Sequence, residues 1–226
     1  MRACFFSDVH ANYEALVACL DHATDCDAMV CAGDLVGYGD KPNEVCDLIR
    51  QRGIRCVIGN HDAFALDRLA YAADKDSLYR AAWTRAALSD ENRDWLAGLP
   101  DQLDIELDGR PVTVRHASPW DLTTYLYPDS PRLVDAVPTD GATLVVGHTH
   151  HAFVCPGTHG LLVGCGSVGQ PRSGPAGAQY AVMQTETGAW SLRTAPYDIA
   201  ALAARLSKNG WDNWAIRKLL NPAATR

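Results

Sequence analysis

The stretch Arg2-Ala3-Cys4-Phe5-Phe6-Ser7-Asp8-Val9-His10 runs from a short apolar segment straight into a carboxylate and an imidazole two positions apart. An apolar run of this length with no polar alternation reads as a strand buried on both faces. Side chains two apart on an extended backbone point the same way, so Asp8 and His10 leave the strand facing one side. The arrangement recurs along the chain. Residues 28–32 lead into Gly33-Asp34, residues 54–58 into Gly59-Asn60-His61-Asp62, and the run from residue 142 closes on Gly147-His148-Thr149-His150. A fifth run, Pro111 to Arg115, ends at His116. Asn12 to Asp21 carries Leu16, Val17 and Leu20 at helical spacing with Asn12 as cap. Pro42 to Arg50 opens on proline and sets Val45, Leu48 and Ile49 on one face. Strand–helix–strand twice over predicts a parallel sheet with right-handed crossovers.

From Asp62 to Leu99 the pattern is helical, rich in Ala, Leu and Arg, and stops at Gly98 and Pro100. Strand-like runs then follow at 102–107, 110–116, 142–147, 160–164, 178–184 and 189–194, and Tyr197 to Leu206 and Trp211 to Leu220 read as closing helices. No linker divides the chain, so residues 1–226 are expected to form one α/β domain. Hydrophobic residues at 47% and charged residues at 21% exclude a disordered or fibrous chain. Twenty Lys and Arg against 27 Asp and Glu leave a net charge of −7, which argues against nucleic acid as a partner. No apolar run approaches the roughly 20 residues that span a bilayer. The N-terminus reaches Asp8 too soon for a signal peptide, so a cytoplasmic protein with no membrane partner is expected. The eight cysteines form no C-x-x-C pair and are read as small buried apolar side chains.

The polar clusters carry the chemistry. In open α/β sheets the carboxyl ends of strands form the crevice where ligands bind, so five separate segments would deliver their side chains to one rim. Gly33, Gly59 and Gly147 permit sharp exits and close backbone approach. Singly, each motif has an ordinary structural explanation: Asp-x-His can cap a helix, and Gly-Asn-His-Asp can be a turn. Together, after successive strands, they argue for a metal site of imidazole, carboxylate and amide donors. Such a set suits Mn, Fe, Ni, Zn or Co and includes no thiolate.

Asp8-x-His10, Gly33-Asp34-x-x-Gly37, Gly59-Asn60-His61-Asp62, His116 and Gly147-His148-Thr149-His150 closely resemble the five motifs of calcineurin-like metallophosphoesterases. The resemblance runs to about residue 180, and Gly166 to Arg172 is similar to the closing segment of the compact prokaryotic branch. It implies a four-layer α/β/β/α sandwich of the metallophosphoesterase type and a centre of two divalent ions, manganese first. Asp8, His10 and His150 would hold one ion, Asn60, His116 and His148 the other, and Asp34 would bridge them. His61 would act as general acid. Two divalent ions outweigh the carboxylates of Asp8 and Asp34, and the positive surplus lowers the pKa of bridging water and attracts phosphate. The implied activity is metal-dependent phosphoester hydrolysis through a bridging hydroxide, on a phosphodiester or small phosphorylated substrate.

The sequence departs from the Ser/Thr protein phosphatases, whose second motif continues into Asp-Arg. Here it continues Gly37-Tyr38-Gly39-Asp40, which removes a phosphate-gripping arginine and favours a diesterase. Asp62, next to His61, is the replacement expected to orient it, and Arg172 and Arg115 are the phosphate-binding candidates. Tyr38, Trp120, Tyr125 and Tyr127 either line the cleft or pack as loop residues. His22, His151 and His159 are read as surface or structural residues, and the Trp211/Trp214 segment as a packed helix or an oligomer contact. With no separate cap domain, the site is expected to be open. The alternatives are a phosphomonoesterase or protein phosphatase, a dinucleoside polyphosphate hydrolase, and a non-catalytic protein-binding scaffold of the same fold. Oligomeric state is left open.

Overall fold

In the computed structural model, which describes residues 1–223, β1 (Arg2–Phe6), β2 (Ala28–Cys31) and β3 (Arg55–Cys56) lie side by side and parallel, with Phe5 beside Val30 and Cys31 beside Cys56. The crossovers are α1 (Tyr13–His22), capped by the Asn12 side chain, and α2 (Pro42–Gln51), with proline in its first turn. β3 is shorter than the apolar run 54–58, because the Ile58 amide bonds to the Pro100 carbonyl instead of a neighbouring strand.

The stretch expected to be helical from residue 62 is broken into short pieces. These are α3 (Asn60–Ala65), a 3-10 turn (Ala73–Lys75), α4 (Asp76–Tyr79), α5 (Ala81–Ala87) and α6 (Asp90–Ala97). Arg80, left-handed at φ 59°, separates α4 from α5, and Ser89 caps α6. A second sheet follows: β4 (Gln102–Leu107), β5 (Arg110–Arg115), the single-turn α7 (Leu133–Ala136), β6 (Thr143–Val146), β7 (Ala152–Pro156) and β8 (Leu161–Cys165). β9 (Ala178–Gln184) and β10 (Ala189–Ala195) return to the first sheet, and α8 (Ile199–Lys208) and α9 (Asn213–Leu220) form a closing hairpin. The strand orders are β10-β9-β1-β2-β3 and β4-β5-β6-β8-β7. In the first sheet the parallel trio β1–β2–β3 has antiparallel β9 on one side only, and β10 is antiparallel to β9; in the second the parallel trio β5–β6–β8 has an antiparallel strand on each side.

Strand alternation sorts the core into layers. Ala3 and Phe5 of β1 face the space between the sheets and meet Val112, Val145 and Val163. Cys4 and Phe6 face outward onto Leu16 and Cys19 of α1 and Val45 and Ile49 of α2. The outer face of the second sheet, with Leu144 and Leu162, is covered by Leu126, Leu133 and Val137, so this helical layer is α7 and its flanking loops. The result is the expected α/β/β/α sandwich. All eight cysteines are free thiols, six of them buried. Because β1–β2–β3 and β5–β6 run with their carboxyl ends towards one edge, the loops after five strands converge there.

Candidate metal centre

At that edge the backbone leaves each strand in an unusual conformation. Asp8, His10, Asp34, His148 and His150 have φ between 51° and 63°, the left-handed region that costs a side-chain-bearing residue energy. Neighbouring glycines make the turns sterically feasible. A Cβ on Gly59 would stand 2.1 Å from Asp34 Oδ1, and one on Gly147 would stand 2.0 Å from Ser7 Oγ. The carbonyls of Ala32 and Gly33 are fixed by the Ser7 hydroxyl, and Ser167 Oγ donates to the Asp8 carbonyl at 2.8 Å.

The side chains gather in two groups, Asp8 with His10 and His150, and Asp34 with His116 and His148. In each group the donor atoms lie within 4.8 Å of one another, and all six residues are buried. Asp34 Oδ2 stands between the groups, 3.8 Å from His10 Nε2 and 3.3 Å from His116 Nε2. Asn60 Oδ1 approaches His116 Nε2 at 2.8 Å.

The hydrogen bonds fix the tautomers. His10 Nδ1 donates to the Val36 carbonyl at 3.2 Å and His150 Nδ1 to the Gln170 carbonyl at 2.5 Å, so each neutral ring turns the Nε2 lone pair inward. Those two Nε2 atoms are 3.0 Å apart. Two lone pairs at that distance repel, and a cation beside both removes the conflict. Asp8 Oδ1, 3.2 Å from His150 Nε2, and Asp34 Oδ2 are buried and have no hydrogen-bond partner among the described residues. Buried anionic oxygens of this kind are stabilised by pairing or metal coordination. His148 is turned round: its Nε2 bonds to the Thr123 carbonyl at 3.1 Å, which leaves Nδ1 for a ligand.

Burial, helped by neighbouring imidazoles, lowers the pKa of His10 to about 4 and of His148 to about 3, keeping both in the neutral, ligating form. Burial also disfavours a charged His116, yet the Asp34 carboxylate lifts its pKa to about 9. Positive charge is thus favoured on the Asp34–Asn60 side as well. Buried imidazoles and carboxylates with lone pairs converging at two neighbouring points fit a pair of divalent ions.

His61 lies beside this centre. Its ring makes edge contacts with His10 at 4.9 Å and Tyr79 at 4.7 Å, and its buried Nδ1 has no hydrogen-bond partner among the described residues. Gly37 lies over that nitrogen, where a Cβ would come within 2.8 Å. The expectation that Asp62 orients His61 is corrected here. Asp62 Oδ1 accepts the Leu35 and Val36 amides and Oδ2 the Asp34 and Gly59 amides, at 2.9–3.0 Å. The carboxylate latches two metal-site loops together and is spent on backbone donors.

The two arginine candidates part company. Arg115 Nη1 donates to the Pro119 carbonyl at 2.5 Å, tying down the loop after His116, and it does not line the cleft above the centre. Arg172 does line it, with Tyr38, Tyr79, Tyr125, Tyr127 and Trp214, around a volume of about 500 Å³. Tyr38 packs on the rings of His10 and His61, and Tyr125 stacks on His148 with centroids 4.0 Å apart, so the cleft adjoins the centre through these two rings. Tyr79 and Trp214 had no signal in the sequence that tied them to the site. Trp211, read as a packed or oligomer-contact residue, packs within the chain, its Nε1 donating to the Tyr38 carbonyl at 2.5 Å.

Comparison with known proteins agrees with this geometry. A family model for the calcineurin-like phosphoesterase superfamily domain matches residues 1–188. An uncharacterized protein of Methanocaldococcus jannaschii is 32% identical over 94% of this chain and 95% of its own. The crystal structure of a metallophosphoesterase from Sphaerobacter thermophilus superposes with a TM-score of 0.80 at 29% identity, covering 98% of this chain and 99% of that one. A hypothetical protein of Pyrococcus horikoshii shares the fold at a TM-score of 0.81 and 18% identity, over 96% and 97% of the two chains.

Proposed function

The chain belongs to the calcineurin-like phosphoesterase superfamily, and we propose that it is a metal-dependent hydrolase of phosphodiesters or small phosphorylated compounds. The observation that carries this reading is the pair of inward-facing Nε2 atoms of His10 and His150, 3.0 Å apart, beside the unpartnered Asp8 Oδ1 and Asp34 Oδ2. Asp8, His10 and His150 would hold one ion, Asn60, His116 and His148 the second, with Asp34 available to both. Manganese is our first assignment, with iron, nickel, zinc or cobalt as alternatives. Two divalent ions supply Lewis acidity towards phosphoryl oxygens and acidify water.

The chain's own residues do the remaining work. Arg172, on the cleft wall, binds a phosphoryl oxygen and orients the ester over the centre. His61 would give a proton to the leaving oxygen from Nε2, since Nδ1 is enclosed beneath Gly37; burial holds the imidazole well below its ordinary pKa, so that proton must first be taken up from water. The aromatic walls exclude water from the bound ester. Absence of the Asp-Arg element in the second motif supports a preference for diesters.

The test is the hydrolysis of bis-p-nitrophenyl phosphate and of p-nitrophenyl phosphate by chelated protein, with and without added Mn²⁺. We expect Mn-dependent turnover favouring the diester, and its loss in Asp34→Asn. Absence of turnover of either ester, with metal shown to be bound, overturns the hydrolase and leaves a metal-binding scaffold.

A further inference from the structure

The cleft above the metal centre has a composition that the centre itself does not require. Four tyrosines come from three separate places: Tyr38 after the second motif, Tyr79 at the end of α4, and Tyr125 and Tyr127 on the loop before α7. Tyr125 and Tyr127 are stacked nearly parallel, 5.4 Å apart at an angle of 3°, and are 42% and 37% exposed. Large rings left open to solvent beside a polar centre are placed for a ligand, because a core role would bury them. Trp214, on α9, forms another part of the wall, with the Arg172 guanidinium 5.5 Å from its ring. Lys218, one turn further along α9, adds a second cation, and no carboxylate lines the cleft among the described residues.

The hairpin that carries Trp214 lies beyond the segment 1–188 matched by the family model, yet it is bound firmly to the site. Arg205 donates to the carboxylates of both Glu14 and Asp40, at 2.8–3.0 Å. Trp211 bonds to the Tyr38 carbonyl, and the Arg80 guanidinium lies 4.2 Å from the Trp211 ring. The open site expected from the absence of a cap domain therefore has a wall on one side. A volume of about 500 Å³ lies within the usual range of roughly 300–1,000 Å³ for small-ligand sites.

From this placement we infer that the cleft is a nucleobase pocket, and that the preferred substrates are nucleoside phosphate esters whose base stacks among Tyr125, Tyr127 and Trp214 while Arg172 holds the phosphoryl group. The inference rests on the hydrolase reading and narrows it to one substrate class. Aromatic rings offer a planar base a π-face whatever its identity, and the paired cations suit the attached phosphate. A long aliphatic ester lacks such a match, since the described lining includes only Leu78 and Ala223 as aliphatic side chains.

The test uses two diesters with the same p-nitrophenolate leaving group, thymidine 5′-(p-nitrophenyl phosphate) and methyl p-nitrophenyl phosphate, on the Mn-loaded full chain. We expect kcat/KM to favour the nucleoside ester by at least about tenfold, the scale of one base–ring stack. Tyr127→Ala and Trp214→Ala should each bring the ratio towards one, while Tyr127→Phe, which keeps the ring, should retain it. Equal kcat/KM for the two esters in the wild type, or a ratio that survives both alanine variants, overturns the pocket. If neither ester is hydrolysed, calorimetric titration with AMP and with ribose 5-phosphate separates the two claims. Tighter binding of AMP keeps the base pocket and rejects only the hydrolase, whereas equal or absent binding rejects the pocket as well.

Discussion

Asp62 shows how much a single side chain can decide at this centre. It follows His61 directly, and adjacency suggested that it orients the imidazole. Consecutive residues on a helix diverge by about 100°, however, and α3 turns Asp62 away from the His61 ring. Its four acceptor bonds join the Asp34–Val36 loop to Gly59, so the carboxylate holds two ligand-bearing segments in register. Asp62→Asn keeps the shape but turns an amide NH₂ towards two backbone donors. With about 1–3 kcal/mol for each buried donor left unpaired, unfolding should become easier by roughly 2–6 kcal/mol. An unchanged midpoint in chemical denaturation would show that the latch carries no stability. His61 has the opposite profile, touching rings but accepting no such bonds. His61→Ala should retain two metal equivalents by elemental analysis, yet lose about 10²–10⁴-fold on alkyl phosphoesters. The loss should shrink on p-nitrophenyl esters, whose leaving group needs little protonation. A uniform loss across leaving groups would remove the acid role.

At the scale of elements, the sequence was most legible where a strand and the polar residues after it form one contiguous motif. Asp8-x-His10 and His148-x-His150 could be read this way because the chemistry and the strand that positions it are neighbours in the chain. β7 carries no strand signature in the sequence, because Pro156 and Gly157 mark an edge that resembles a loop, and Val154 there is exposed. The α8–α9 hairpin was visible as two helices, but its place beside the metal centre was not. That placement depends on Arg205 reaching Glu14 and Asp40, more than 160 residues away in the chain. Burial alone would raise the Glu14 pKa, but hydrogen bonds from Arg205 and Lys41 hold it down at about 2. The depressed value sets the sign of the pH effect. Docking stability from this group is complete above the ordinary pKa of 4.5 and is lost as pH falls towards 2. Protection of the amides in residues 199–220, taken relative to their intrinsic exchange rates, should therefore fall between pH 4.5 and pH 2, and Arg205→Ala should show that lower protection already at pH 7. Equal protection in wild type and variant at pH 7 would show that the hairpin is held by its apolar face alone.

Across the whole molecule, the candidate ligands are divided between the two sheets in a way that no single motif reveals. Asp8, His10, Asp34 and Asn60 follow strands of the first sheet, whereas His116, His148 and His150 follow β5 and β6 of the second. Each metal group therefore takes donors from both sheets, Asp8 and His10 meeting His150, and Asp34 meeting His116 and His148. Between the sheets the contact is otherwise apolar and largely non-directional, made by Phe5, Val30, Val112 and Val145. Ions at the edge would pin the relative position of two surfaces that a valine-rich interface leaves free to adjust. Without them, inward lone pairs and unpartnered carboxylate oxygens oppose closure of that same edge. Metal removal should thus cost stability as well as activity. An ion present at a hundred times its Kd contributes about 2.7 kcal/mol, and a chain of this length gains roughly 2–4 °C per kcal/mol, so chelation should lower Tm by about 5–10 °C per ion. Adding Mn²⁺ back should restore Tm in two saturable steps in the wild type. His150→Ala, which removes a ligand from one group, should leave one step intact. A Tm indifferent to chelation, with metal loss confirmed, would mean that the sheets are locked by packing alone and that the ions carry no structural weight.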